Sequence, residues 1–154
     1  MSRPSSKSDQ GPLLGALLRI AAQALQERIT RWLASSEFDD IQPAHSAVIQ
    51  PLWDMPEGAR ITTLARSGRI TKQSMSALVD HLEKTGYVER VEDPDDARAT
   101  RVKLTTRGRA YGRAIRALGR EVEAEWAARI GAERIAHLKE TLELLRTEVF
   151  DAGE

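Results

Sequence analysis

The chain has 154 residues, 23 Lys/Arg against 23 Asp/Glu, and no cysteine. That length suits one domain or two small intertwined parts, and the missing cysteine excludes disulfides, thiolate metal ligation and thiol redox sensing. No apolar run is long enough to span a bilayer, and the opening MSRPSSKSDQGP is polar with no signal-peptide core. A soluble cytoplasmic protein is therefore expected, with residues 1–12 a disordered tail.

Zero net charge hides a segregation. Residues 60–109 carry eleven Lys/Arg and seven Asp/Glu, and the rest carry twelve and sixteen. A basic middle between acidic flanks is compatible with a polyanionic partner. A solvated surface with chance clustering would give the same numbers.

In chain order, residues 13–33 predict a long amphipathic helix, with Leu14, Leu17, Leu18, Ala21, Leu25, Ile29 and Trp32 at helical spacing. SSEFDD breaks it. PAHSAVIQPLW (43–53) predicts a shorter helix that Pro51 should end or kink near Gln50. MPEG is a loop. ITTLAR (61–66) predicts a short helix with Ile61, Leu64 and Ala65 inward, and SGR a tight turn. A further helix starts with Thr71 as N-cap, buries Met75, Leu78, Val79 and Leu82, and stops at Gly86. Short helix, tight turn and second helix make a helix-turn-helix.

Beyond Gly86 the period changes to two. Residues 87–91 and 99–104 predict strands, joined by the turn-rich EDPDDAR. Thr105 or Thr106 caps another long helix, with Tyr111, Ile115, Leu118, Val122 and Trp126 on its buried seam. Gly131 separates it from a last helix whose Ile135, Leu138, Leu142, Leu145 and Val149 follow a 3, 4, 3, 4 spacing. That seam fits a coiled coil but runs only about two heptads. Together with the first helix and the helix from Thr106 it can hold a dimer; an intramolecular bundle is the alternative. The fold class is thus mainly α with a small β-hairpin wing. A winged helix-turn-helix at 41–109 sits between an N-terminal dimerisation helix at 13–40 and C-terminal dimerisation helices at 110–154.

The stretch EDPDDARATRVKLT places Glu92, Asp93, Asp95 and Asp96 just ahead of Arg98, then alternates Arg101 and Lys103 with Val102 and Leu104. A turn this acidic should repel a polyanion, whereas the strand after it looks suited to touching one.

The span 61–109 resembles the MarR (multiple antibiotic resistance regulator) family. The resemblance rests on LEKTGYV at 82–88, DPDDAR at 93–98 and LTTRG at 104–108, and it covers nearly the whole chain from about Leu13. It implies that Asp96 and Arg98 match the family's wing Asp-x-Arg, with Arg98 in the DNA minor groove and Asp96 holding it. A narrow minor groove concentrates negative potential and draws in a guanidinium, and a nearby carboxylate can fix its planar fork by charge-assisted hydrogen bonds. Asp93 and Asp95 would then bond the turn's own backbone. The plain alternative is a surface hairpin stapled by an exposed pair, worth about 0–1 kcal/mol.

The helix capped by Thr71 would be the recognition helix. Its first turn offers Lys72, Gln73, Ser74 and Ser76, of which Gln pairs with adenine, Ser with base edges or phosphate, and Lys with guanine or phosphate. Ala77 departs from the family pattern, where an arginine is common. Further along, His81 would reach a phosphate and Asp80 would face a protein partner. Arg60, Arg69, Arg101 and Lys103 are candidates for phosphate contacts that position without specifying.

The resemblance implies a homodimeric repressor that reads a pseudo-palindromic operator in double-stranded DNA and responds to a small aromatic or anionic effector. For the effector pocket the candidates are Trp32, His45, Trp53, Tyr111 and Arg113, since a pocket needs apolar walls and a few polar groups; core packing competes for each aromatic. No nucleotide-binding, metalloprotease or nucleophile-elbow motif occurs, so no catalytic residue, metal or cofactor is expected. The competing reading is a winged-helix protein-interaction module without sequence-specific DNA binding.

Overall fold

A computed structural model describes residues 11–151; the tail expected at 1–12 lies almost wholly outside them. Helix α1 (Leu14–Ala34) leads through a turn to a 3-10 segment (Pro43–His45) and α2 (Ser46–Trp53). Helices α3 (Ile61–Ser67) and α4 (Lys72–Lys84) follow, then strands β1 (Val88–Asp93) and β2 (Asp96–Leu104). Helices α5 (Thr106–Ile130) and α6 (Ala132–Leu145) finish the chain, with a π-type turn at Arg146–Asp151.

Helix α4 begins and ends as its sequence dictates. The Thr71 hydroxyl accepts the Ser74 N–H at 3.1 Å, the capping bond that satisfies an otherwise orphan donor. At the other end Gly86 takes φ +80°. There the Gly86 N–H reaches the Glu83 carbonyl at 3.0 Å and the Tyr87 N–H reaches that of Leu82 at 2.8 Å. These two bonds close a Schellman motif. The turn before α4 differs from expectation in detail: the left-handed residue is Arg69 (φ 50°), not its glycine neighbour.

Pro51 does not end α2, which runs on to Trp53. Proline inside a helix costs roughly 3 kcal/mol. The burial of Val48, Ile49 and Leu52 on this one short helix offsets it, at roughly 1.5–3 kcal/mol per side chain.

One apolar core runs from Leu33 at the end of α1 to Tyr111 on α5. It takes in Phe38, Ile41, Leu52, Leu64, Met75, Val79, Leu82, Val88, Val102 and Leu104. A polar tie closes its lower side. The Tyr87 hydroxyl donates to the Asp40 carboxylate, Arg107 donates to the same carboxylate at 3.1 Å and to the Thr85 carbonyl at 2.8 Å, and its guanidinium lies 4.4 Å from the Tyr87 ring centroid. Burial, and secondly the bond to Asp40, pushes the Tyr87 hydroxyl pKa upward, so it stays a donor.

The apolar seams at the chain's two ends are a different matter. Leu14 and Leu17 on α1, and Leu138 and Leu142 with Val149 beyond them, remain 39–62% exposed. Only Ile135 of the last seam is buried.

Candidate nucleic-acid interface

The inner face of α4 is fixed by Met75, Val79 and Leu82, none of which retains exposed surface. The period of 3.6 then turns Lys72, Gln73 and Ser74 outward, while Ser76 is half-buried. The capping bond orients Thr71 and Ser74 together, with their hydroxyls 2.9 Å apart. Ala77 is exposed.

The far end of α4 is occupied by structure. Asp80 receives the Arg90 guanidinium of β1 at 2.5 Å, and Glu83 pairs with the same group. The Asp80 bond, outweighing the opposing effect of burial, raises the Arg90 pKa, so the guanidinium stays charged. Asp80 keeps 63% of its side chain exposed while holding Arg90, so it ties α4 to the wing from the surface. His81 is half-buried: its Nε2 lies 3.2 Å from the Asp40 carbonyl, and its ring stacks on His45 at 4.6 Å. An imidazole held this way is not available to a phosphate.

The wing is longer and tighter than the sequence predicts. Pairing extends through Glu92↔Thr100 and, after a register shift, Asp93↔Asp96, so only Pro94 and Asp95 form the tip. Repulsion among four acids does not open it because two arginines enter the hairpin. Asp93, 2% exposed, accepts Arg60 Nε at 2.5 Å on Oδ2, and on Oδ1 it accepts Arg101 Nη2 at 3.1 Å and the Asp95 N–H at 3.0 Å. The Arg60 bond first, and the Asp95 N–H second, depress its carboxyl pKa to about 2. Arg101 also donates to Asp95 at 2.6 Å. Arg60 and Arg101 are thus engaged within the protein, whereas Lys103 lies half-buried opposite Glu89.

Asp96 and Arg98 meet, but not as a carboxylate–guanidinium fork. Asp96 Oδ1 accepts the backbone N–H of Arg98 at 3.1 Å. The bond shapes the strand that presents Arg98, and Arg98 is exposed. This is an Asx-type turn, a local side-chain to backbone bond available to Asp and Asn.

The MarR family model matches residues 39–99. The transcriptional repressor Rv2887 of Mycobacterium tuberculosis is 30% identical over 120 residues, covering 70% of this chain and 86% of the relative. The chain belongs to the MarR family. The transcriptional regulator HosA of Escherichia coli is 29% identical over 111 residues, covering 72% and 80%. Among solved structures, Rv2887 in complex with salicylic acid aligns with a TM-score of 0.66 at 27% identity, over 89% of this chain and 98% of that one. Streptococcus pneumoniae FabT in complex with DNA aligns with a TM-score of 0.77 at 21% identity, over 90% and 96%, a likeness of fold. This MarR-family chain is a DNA-binding transcriptional regulator.

Away from the wing, the MarR-family chain has a cavity of about 480 Å³ between α1, α2 and α5, lined by Leu25, Ile29, Ile49, Trp53, Ile115 and Arg116 among others. Gly112 belongs to the same wall, and a Cβ there would lie 2.3 Å from the Trp53 ring. The Arg116 guanidinium sits 4.4 Å from the Trp53 ring centroid and 3.7 Å from Asp54. Of the five residues expected at an effector pocket, only Trp53 lines this cavity. Trp32 packs on Phe38 (6.0 Å) and Tyr111 (6.4 Å), and Tyr111 is buried, which raises its hydroxyl pKa. Arg113 is exposed. His45 is buried with Nδ1 accepting the Gln42 N–H at 2.9 Å. Burial, and then the neighbouring His81, lower its pKa against an opposing pull from Asp40. Although His45 and His81 do meet in space, no group of three metal-ligating side chains occurs among the described residues.

Arg116 and Gly112 were not singled out by sequence reasoning. Of the two glycines on the cavity wall, Gly112 is approached closely by Trp53 whereas Gly119 faces open space, so no spacing in the sequence marks this site. Asp93 was read as a turn residue, and only its three-dimensional neighbours set it apart from Asp95.

Proposed function

We propose that this regulator acts as a homodimeric repressor on a pseudo-palindromic operator. Each subunit lays the first turn of α4, with Thr71, Lys72, Gln73, Ser74 and Ser76, in the major groove. Each wing inserts Arg98 into the flanking minor groove, with Asp96 setting its backbone and Lys103 adding phosphate attraction; Arg101 works from inside the wing. Two α4 helices about 34 Å apart would read successive major grooves on one face of the duplex.

The observation that carries the dimer is the apolar seam at each end of the chain. Leu14, Leu17, Leu138 and Leu142 are exposed although their spacing is that of buried seams. Leaving such rows in water is unfavourable by about 25 cal/mol per Å², and a second copy presents the same rows in return, as a two-fold interface requires. The domain division follows: 13–40 and 110–154 hold the dimer, and 41–109 reads DNA.

The cavity beside Trp53 has apolar walls and one cation, Arg116, which lies 3.7 Å from Asp54 on the same lining; a small aromatic anion would take the place of Asp54 on it, and the salicylic acid held by the Rv2887 crystal has that chemistry. A ligand that binds one arrangement of α1, α2 and α5 better than another shifts the spacing of the α4 helices. No described helix is long and apolar enough to cross a membrane, and the protein works in the cytoplasm, on DNA, by binding and not by turnover.

The deciding experiment is fluorescence-anisotropy titration of the chain's own upstream intergenic DNA against a scrambled duplex at several salt concentrations, with light scattering for the mass. A dimer that prefers the native duplex and weakens with salt establishes the reading. A monomer, or equal affinity for both duplexes and no site recovered by selection from genomic DNA, sinks it in favour of a protein-interaction module.

A further inference from the structure

We propose that Asp93 is a positioning residue for DNA recognition: by gripping Arg60 at the start of α3, it fixes the angle of the wing, and hence the place of Arg98 relative to α4. The inference rests on the reading that Arg98 enters the minor groove.

A two-stranded hairpin has little rigidity of its own, so its attachments decide where its tip lies. At the base of the wing, Ala59 and Val102 exchange two backbone hydrogen bonds of 3.0 and 2.8 Å. The tie of Arg90 to Asp80 and Glu83 on α4 lies at the same level, since Arg90 pairs with Val102, and attachments at one level leave a pivot for the tip. The attachment toward the tip is Arg60 to Asp93 at 2.5 Å. Val102 pairs with Arg90 on β1, and Asp93 lies three residues beyond it, about 10 Å further along the strand. The consecutive residues Ala59 and Arg60 therefore hold the hairpin at two separated places. Two such points fix a direction.

The chemistry of the second point makes it firm. The Asp93 side chain has no exposed surface, and its oxygens accept Arg60, Arg101 and the Asp95 N–H. A buried carboxylate with charge-assisted bonds on both oxygens has one satisfied orientation, and removing a partner leaves charge uncompensated. The same Arg60 guanidinium approaches Asp96 at 3.7 Å, and Asp96 holds the Arg98 backbone. A continuous path thus runs from the first residue before α3 to the backbone of the exposed arginine. It also gives the acidic turn a purpose: Asp93 and Asp95 offset Arg60 and Arg101.

The test is a double-mutant cycle of full-length protein on its selected operator duplex, read by anisotropy. Asp93→Asn removes the charge from Arg60 but keeps an acceptor for the Asp95 N–H. The expected result is a loss of about tenfold in affinity with wild-type Arg98. In an Arg98→Ala background the same change should cost less than about twofold, because a mispositioned wing no longer matters once the arginine is gone. Bound sequences selected by Asp93→Asn should lose preference at the outer positions and keep it at the half-site centre.

Losses that simply multiply would show that Asp93 acts on the fold at large, and would overturn the inference while leaving the role of Arg98 intact. An Arg98→Ala variant of wild-type affinity would remove the minor-groove reading itself, and the inference with it. If Asp93→Asn does not fold, Arg60→Gln serves instead, since it leaves Asp93 with Arg101 and the Asp95 N–H. Coupling to Arg98 is expected there too. An uncoupled loss together with a salt slope reduced by about one would make Arg60 a phosphate contact and overturn the inference.

Discussion

The Oδ1 atom of Asp96 accepts the backbone N–H of Arg98 at 3.1 Å, so the aspartate sets the course of the chain at the wing and not the fork of the guanidinium. This separates two roles that a sequence motif merges. Asp96→Asn keeps an acceptor at the same place and should leave affinity for specific DNA within about twofold. Asp96→Ala removes a side-chain to backbone bond worth about 1 kcal/mol, and should weaken binding up to about fivefold. Equal losses in both variants, measured by anisotropy, would return the effect to the carboxylate's charge.

Arg98 itself is exposed and near the hairpin tip. Arg98→Ala should weaken specific binding by about tenfold or more, since a base-reading or groove-inserted contact is worth about 1–3 kcal/mol. The melting temperature of the dimer should move by no more than about 2 °C, in line with an exposed substitution. A large fall in melting temperature would instead identify Arg98 as a staple of the hairpin.

The period of the apolar residues made the order and type of the helices legible, because a period of 3.6 or 2 is a property of local sequence. Thr71 and Gly86 marked the ends of α4 for the same reason: their capping bonds reach residues no more than five positions away. Asp93 was not legible as distinct from Asp95, since what sets it apart is Arg60, thirty-three residues earlier. His81 sits on the polar side of α4, which predicts an outward face, but its ring stacks on His45 and its Nε2 lies against the Asp40 carbonyl, whereas Asp80 stays largely exposed and holds Arg90 from another element. Pro51 was read by its local rule, and the burial of Leu52 beside it overrode that rule. Interactions across sequence distance decided each of these cases.

Lys72 and Gln73 are neighbours on the exposed first turn of α4, and their chemistry separates their effects. Lys72→Ala should lower affinity for all duplexes alike and reduce the salt slope by about one. Gln73→Ala should relax discrimination at one base pair, costing about 1–3 kcal/mol there and little elsewhere. In vitro selection with each variant reads both. Unchanged motif and affinity in both would mean that α4 is not the element that reads the operator.

His45 gives the stability a pH dependence of known sign. Its pKa is lowered in the folded protein from an ordinary value of 6.5, chiefly by burial and then by His81, so below about pH 6.5 the unfolded chain takes up a proton that the folded one resists. The contribution is therefore complete above pH 6.5 and is lost as pH falls through the lower folded value. Protonation would also turn Nδ1 from an acceptor into a donor facing the Gln42 N–H. In His45→Asn an amide oxygen replaces Nδ1, and the melting temperature should fall less steeply between pH 7 and 5 than in the wild type. Asp93, held near 2 against an ordinary 3.8, adds a second loss confined to the range below about pH 4. Parallel melting curves for His45→Asn and wild type down to pH 5 would show that burial of His45 is not what the native state defends.

The cavity by Trp53 makes a prediction independent of DNA. Gly112 faces the indole ring closely enough that a Cβ would lie 2.3 Å from it, and Arg116 stacks on the same ring. A small aromatic anion entering there would exchange the cation–π contact for a charge-assisted bond to Arg116. Titration with salicylate should change tryptophan fluorescence in the wild type and not in Trp53→Phe. Arg116→Ala should weaken binding about tenfold, and Arg113→Ala, on the exposed side of the same helix, should not. Binding that survives Arg116→Ala but is lost in Arg113→Ala would move the effector out of this cavity. Repression and effector binding would then have to communicate by a route other than the packing of α1 and α2 on α5.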